Sequence, residues 1–249
     1  MFTPSERGSL RSELLEAAAS DPRICAAAIT GSAAAEREDK WSDIDLAFGI
    51  ADEGQVSTVV TEWSARMYEH HHALHHYDIN FGAWIYRAFL LASTLQVDLA
   101  FVADKEFRPL GPTFRIIFGT AREEQIPPAS NPATIIGLCW LQALHARSAI
   151  ARGKLWQAES MISGIRDGAL SLACIRHGLP AVHRRGTDIL PEFVTRPFEA
   201  SLVRSLDPAE LARAFRSVMI NLLSEIPQAD ESLAERLQAV LEGLVDFSV

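Results

Sequence analysis

An α/β (α+β) domain with a mixed sheet, followed by an all-helical bundle, is the architecture that the 249-residue sequence predicts. Three observations lead there. Short apolar runs of strand length alternate with segments of helical spacing as far as about residue 118, and beyond residue 131 only helical spacing remains. Between the two, residues 120–131 combine Glu123-Glu124 with Pro127-Pro128, a composition that suits a linker better than a regular element. The expected domains are therefore 1–125 and 126–249.

Each element has its own local reason. Thr3-Pro4-Ser5-Glu6 has the form of a capping box with proline at the first helical position, and Leu10, Leu14, Leu15 and Ala18 continue at helical spacing, so a helix is expected over 4–20. Asp21-Pro22 turns the chain into the apolar run Ile24–Thr30, a buried strand. Gly31-Ser32 ends that strand, and the alanines after it favour a short helix. Ile44–Ile50 is the second strand, 55–69 a helix, and 70–76 a histidine-rich connection. Trp84–Leu91 and Leu95–Val102 form a hairpin around Ala92-Ser93-Thr94, and Phe114–Phe118 adds a short strand. In the second half, Asn131-Pro132 opens a helix to about Arg152, and Lys154 to His177 makes another, closed by Gly178 and Pro180. Residues 191–205, interrupted by Pro197, form a third. Asp207-Pro208-Ala209-Glu210 caps a fourth to Glu225, and 230–246 make the fifth.

The composition is that of a globular protein, 48% hydrophobic and 22% charged. No apolar stretch approaches the roughly 20 residues that span a bilayer, and no signal-peptide pattern opens the chain, so a cytoplasmic location is expected. Cys25, Cys139 and Cys174 are odd in number and far apart, which suits buried free thiols in a reducing compartment. The net charge of −9 is concentrated in the first half, where 11 Lys and Arg face 19 Asp and Glu. That balance disfavours sequence-independent nucleic-acid binding and a template track, which require basic residues against phosphates. It suits a metal-nucleotide site or a cationic small substrate.

The chemistry is concentrated in Gly31-Ser32 and Asp43-Ile44-Asp45. Residues i and i+2 of a strand share a face, so the two aspartates project side by side. Parallel carboxylates repel unless a cation neutralises them, and hard divalent cations such as Mg²⁺ take oxygen ligands. Asp98 is a lone acid in the apolar run Leu95–Phe101, and a third carboxylate beside the pair is what a two-metal phosphoryl-transfer site needs. Gly31-Ser32 follows a strand and precedes a helix. Glycine permits close backbone approach, and the amides and the Ser32 hydroxyl can hold phosphates.

Gly31-Ser32, ten residues, Asp43-x-Asp45 and a later strand aspartate, Asp98, together resemble the polymerase-β-type nucleotidyltransferase superfamily. The helical second half resembles the small bacterial enzymes that nucleotidylate aminoglycoside and lincosamide antibiotics. The resemblance is specific over residues 24–102 and looser over 132–247. It implies transfer of a nucleoside monophosphate, AMP from ATP first of all, to a hydroxyl of a small molecule, with release of pyrophosphate. It implies two Mg²⁺ ions held by Asp43, Asp45 and Asp98, and a triphosphate held by Gly31 and Ser32. Asp98 would also help remove the acceptor proton. The bundle would select the acceptor, and the resemblance admits a homodimer. One departure stands out: Ala35-Glu36 occupies the place where many members carry Arg-Gly, with Arg37 the nearest cation.

Other residues have competing readings. His70, His71, His72, His75 and His76 contain i, i+4 pairs that zinc could use, but no acid or cysteine completes a ligand set, so a polar connection is favoured. Arg87 either pairs with the acids, contacts phosphate, or is an exposed strand residue. Glu159, Ser163, Arg166 and Asp167 share one helix face, with Glu159 or Asp167 a candidate general base, or the stripe is a solvated face with an ion pair. Trp140 and Trp156 read as core. Two alternatives for function stay open: nucleotidyl transfer to a protein or RNA partner, and a degenerate nucleotide-binding regulatory module.

Overall fold

The computed structural model describes residues 1–125 and 130–246, with the backbone alone for His183. The chain divides into two compact units, Met1–Pro127 and Pro128–Val249. The centre of the expected linker, 126–129, lies outside the described residues.

The first unit is built on a mixed six-stranded sheet. Helix α1 (Pro4–Ser20) starts at a complete capping box, in which Thr3 Oγ1 accepts from the Glu6 amide and the Glu6 carboxylate accepts from the Thr3 amide. Strand β1 (Ile24–Thr30) runs into the single turn α2 (Gly31–Ala34), and β2 (Ile44–Ile50) follows. Helix α3 (Val56–His70) leads to β3 (Ala73–Phe81), β4 (Trp84–Leu91), β5 (Gln96–Ala103) and β6 (Phe114–Phe118). Across the sheet the order is β3-β4-β5-β2-β1-β6. Only β2 and β5 pair in parallel, with Asp45 opposite Asp98; the other neighbours are antiparallel.

The histidine-rich stretch departs from expectation. His75 and His76 lie in β3, an edge strand that the sequence reading treats as connection. Its mixture of histidine, Asp78 and Asn80 hides the alternation that usually marks a strand, and pairing with β4 supplies what propensity does not.

Strand alternation divides the unit into two layers. One face of the sheet packs against the helices through Leu14, Ala27, Ile29, Ile44, Leu46, Phe48, Trp63, Phe89, Leu99 and Phe101. The other face carries Ala26, Ala28, Ala47, Ala100 and Val102, with Trp84 and Phe107 over them. Its small side chains keep this second face low beside Asp45 and Asp98.

The second unit contains α4 (Pro132–Ala151), α5 (Leu155–Arg176), α6 (Glu192–Glu199), α7 (Pro208–Ala229) and α8 (Glu231–Val245). A continuous core runs through Ile136, Ala143, Ala146, Ile162, Ile165, Ala169, Leu172, Phe215, Val218 and Leu222. Alanine recurs along the buried faces of α4 and α5, at Ala143, Ala146, Ala149, Ala158, Ala169 and Ala173. The third expected helix is shorter than 191–205, and the fourth extends past Glu225 through Pro227. Two expectations of burial fail: Trp156 is 76% exposed and Trp140 37%, since both fall off the alanine-lined seam. Of the cysteines, all free, Cys139 and Cys174 are buried but Cys25 is exposed. No helix among the described residues is long and apolar enough to cross a membrane.

Candidate metal centre

Asp43, Asp45 and Asp98 each offer a carboxylate oxygen to one small volume, with these atoms all within 4.8 Å of one another and all three residues half-buried. No other group of three or more His, Cys, Asp or Glu with this geometry occurs among the described residues, and no histidine belongs to it. The register explains the convergence. Asp45 and Asp98 face each other across the parallel β2–β5 pair, and adjacent strands lie about 4.8 Å apart. Asp43 is not in the strand, which begins at Ile44. It sits just before it and still reaches the same side.

The electrostatics suit a cation. Asp98 is held above the usual carboxylate range, first by burial and then by the neighbouring charge of Asp43, against a lowering hydrogen bond from Gln96. Gln96 Nε2 donates to both Asp98 oxygens at 3.0 Å. A divalent ion would relieve the strain of gathering these acids, and its hard oxygen preference matches the donor set.

Gly31 is fixed by both backbone and space. Its φ is +62, and a Cβ there would lie 2.0 Å from Asp45 Oδ2, so only glycine allows the turn to close against Asp45. Beside it, Ser32 Oγ is shielded from solvent and has no hydrogen-bond partner among the described residues. Leaving a hydroxyl so costs about 1–3 kcal/mol, and a phosphate oxygen could accept from it. Helix α2 has only four residues, so the Ser32 hydroxyl and backbone amides, rather than a helix dipole, are what this turn can offer an anion.

The step at Ala35-Glu36 has a backbone signature. Glu36 has φ +55, the left-handed region that favours glycine, and it stands where the resembled family carries glycine. Two cations lie near the turn. Arg37, exposed, donates its amide to the Ser32 carbonyl at 2.9 Å. Arg115 on β6 brings its guanidinium to 3.5 Å from the Ala33 carbonyl. The sequence reading passed over Arg115, although a lone arginine in the apolar run Phe114–Phe118 was a signal.

Arg87 does not join the acids. It is paired in register with Leu99, whereas Asp98 is paired with Ala88, so alternation puts Arg87 on the helix-covered face. There it clasps both oxygens of Asp78 at 2.6 Å and donates to Ser64 Oγ of α3. Tyr86, one residue earlier, is on the acid-bearing face, half-buried and stacked on Trp84. In the helical unit, Ser163 Oγ donates to Glu159 at 2.7 Å and accepts from Arg166 at 3.0 Å. Asp167 pairs with Arg184 at 3.0 Å. His76 Nδ1 is 2.7 Å from the Tyr68 hydroxyl.

No family model matches the chain, and no curated protein matches it. Among solved structures, an aminoglycoside 6-adenyltransferase from Bacillus subtilis is similar at 11% identity, covering 94% of this chain and 96% of that one with a TM-score of 0.41. The polymerase core of TRAMP, an RNA surveillance complex, is similar at 12% identity, covering 97% and 81% with a TM-score of 0.31. Both likenesses are remote, and the functional reading rests on the side chains described above.

Proposed function

We propose that this chain is a nucleotidyltransferase that moves a nucleoside monophosphate from a nucleoside triphosphate to a hydroxyl. One observation carries the reading: three carboxylates meet on one face beside a glycine turn that no side chain could occupy, next to a serine hydroxyl without a partner.

Two Mg²⁺ ions bound by Asp43, Asp45 and Asp98 would supply charge neutralisation for the triphosphate and acidify the acceptor hydroxyl. The protein's own residues do the rest. Gly31 lets the backbone approach the phosphates, and Ser32 Oγ donates to a phosphate oxygen. Arg37 and Arg115 place positive charge near the turn, where the family's arginine is missing. Asp98 is the carboxylate that takes the acceptor proton in this reading. The acceptor oxygen bonds to the α-phosphorus, the bond from that phosphorus to the bridging oxygen breaks, and pyrophosphate leaves.

ATP is the donor and a small hydroxyl-bearing molecule the acceptor in this reading. The acidity of the first half favours a cationic acceptor such as an aminoglycoside. The helical unit selects that acceptor, and the free thiols suit a reducing cytoplasm. The test is pyrophosphate release from each nucleoside triphosphate with Mg²⁺ and a panel of aminoglycosides and lincosamides. Metal-dependent release by the wild type and its loss in Asp43→Asn are expected. Equal inertness of both proteins, with no metal-dependent nucleotide binding, would overturn the reading.

A further inference from the structure

Asp45 and Asp98 are held by the sheet, because β2 is hydrogen-bonded on one side to β1 and on the other to β5. Asp43 has no such support. It lies between the last loop residue, Ser42, and the first strand residue, Ile44. Something else must fix it if it is to share a cation with the other two.

Arg7 of α1 reaches across to that loop. It is 4% exposed, and its guanidinium donates through one nitrogen to the carbonyls of Asp39 at 2.6 Å and Ser42 at 3.0 Å. The Ser42 carbonyl belongs to the peptide that joins Ser42 to Asp43. Arg7 Nε lies 3.1 Å from Glu38 Oε1, which Arg11 also holds at 2.6 Å. The loop is closed from within as well: Asp39 Oδ1 accepts from the Trp41 amide and the Ser42 hydroxyl, and the Asp39 amide donates to Ser42 Oγ. Both carbonyls gripped by Arg7 therefore belong to one rigid turn, and the turn ends on the metal ligand.

Burying a guanidinium is costly unless it is paired and hydrogen-bonded. A hydrophobic residue would anchor α1 more cheaply, as Leu14 and Ala18 do further along the same helix. What a hydrophobic residue cannot do is orient two carbonyls. The guanidinium can, since one of its nitrogens donates to both.

We infer that Arg7 is a positioning residue for the metal centre, holding the Asp39–Ser42 turn so that the Asp43 carboxylate stands beside Asp45 and Asp98. The inference rests on the metal-binding reading of the three aspartates. It concerns a group that touches neither metal nor substrate.

Mn²⁺ binding to the full chain, followed by electron paramagnetic resonance, tests it with four variants beside the wild type. Arg7→Ala is expected to weaken Mn²⁺ binding by about 10–100-fold, as loss of a partner behind a metal ligand does. Leu14→Ala removes a fully buried side chain from α1 without touching the turn, so its thermal unfolding midpoint falls while Mn²⁺ affinity stays at the wild-type level. Millimolar guanidinium ion is expected to restore part of the Mn²⁺ affinity of Arg7→Ala. If Arg7→Ala does not fold, Arg7→Met decides, because it keeps an unbranched stem in the buried site and offers no donor to either carbonyl; a wild-type affinity there overturns the inference. So does Arg7→Ala with unchanged affinity, or a loss that Leu14→Ala shares. A wild type that binds Mn²⁺ no better than Asp43→Asn would instead overturn the metal centre itself, and this inference with it.

Discussion

Replacing Gly31 by alanine perturbs a position where backbone conformation and the carboxylate cluster are coupled. A Cβ there would lie 2.0 Å from Asp45 Oδ2 and 2.7 Å from Asp45 Cγ. The backbone sits at φ +62, where an L-residue costs about 1–2 kcal/mol. Relieving the collision means displacing Asp45 or its strand, and forced overpacking of this kind costs about 1–3 kcal/mol. Together these destabilise the first unit by about 2–5 kcal/mol. At about 3 °C per kcal/mol, its thermal unfolding midpoint falls by about 6–15 °C. The two contributions separate in a double-mutant cycle with Asp45→Ala. With the carboxylate gone the collision disappears, so the alanine at 31 costs only the backbone part, and the coupling between the two sites is about 1–3 kcal/mol. Scanning calorimetry of the four proteins gives these values, and Mn²⁺ titration of Gly31→Ala is expected to show weakened binding. A Gly31→Ala protein that melts at the wild-type temperature, or a cycle with no coupling, would refute the argument that this glycine exists to seat Asp45.

Three further outcomes follow from the same geometry. Glu36→Gly removes a left-handed non-glycine residue at φ +55 and is expected to stabilise the protein by about 0.5–1 kcal/mol, read as a higher unfolding midpoint. Asp98 has a folded-state pKa above its unfolded one, so in metal-free protein its contribution to stability is full below the ordinary carboxylate range and is lost as pH rises through the folded value. Asp98→Asn should therefore melt higher than the wild type at neutral pH without metal, with the gap closing in acid; a gap that widens in acid contradicts the assignment. Arg87→Met breaks a largely buried pair with Asp78, itself 35% exposed, and is expected to cost about 1–2 kcal/mol in denaturant unfolding after allowance for solvent screening. Its Mn²⁺ affinity should not change, because Arg87 lies on the opposite face of the sheet from Asp98.

The sequence by itself determined the elements whose signals are local. The Thr3–Glu6 capping box starts α1, Asn131-Pro132 and Asp207-Pro208 start α4 and α7, and the apolar runs at 24–30, 44–50 and 84–91 became β1, β2 and β4. Those signals were legible because each depends on neighbours within a turn or a pleat. The spacing of Gly31-Ser32, Asp43 and Asp45 was legible for the same reason. What pairing decides was not. The edge strand β3 forms because β4 offers it a ladder, not because Leu74-His75-His76-Tyr77-Asp78 is a strand-like string. Arg87 and Tyr86 are adjacent in sequence, yet register against Leu99 and Ala100 sends them to opposite faces. Asp98 meets Asp45 only because β5 aligns in parallel with β2 at that offset. Arg7, more than thirty residues from the turn it grips, carries no sequence mark at all. Side-chain direction in a sheet has a period of two, so a shift of one residue in register would have scattered the same acids across both faces. Residue types and spacing were written in the chain, and the choice of face was left to the fold.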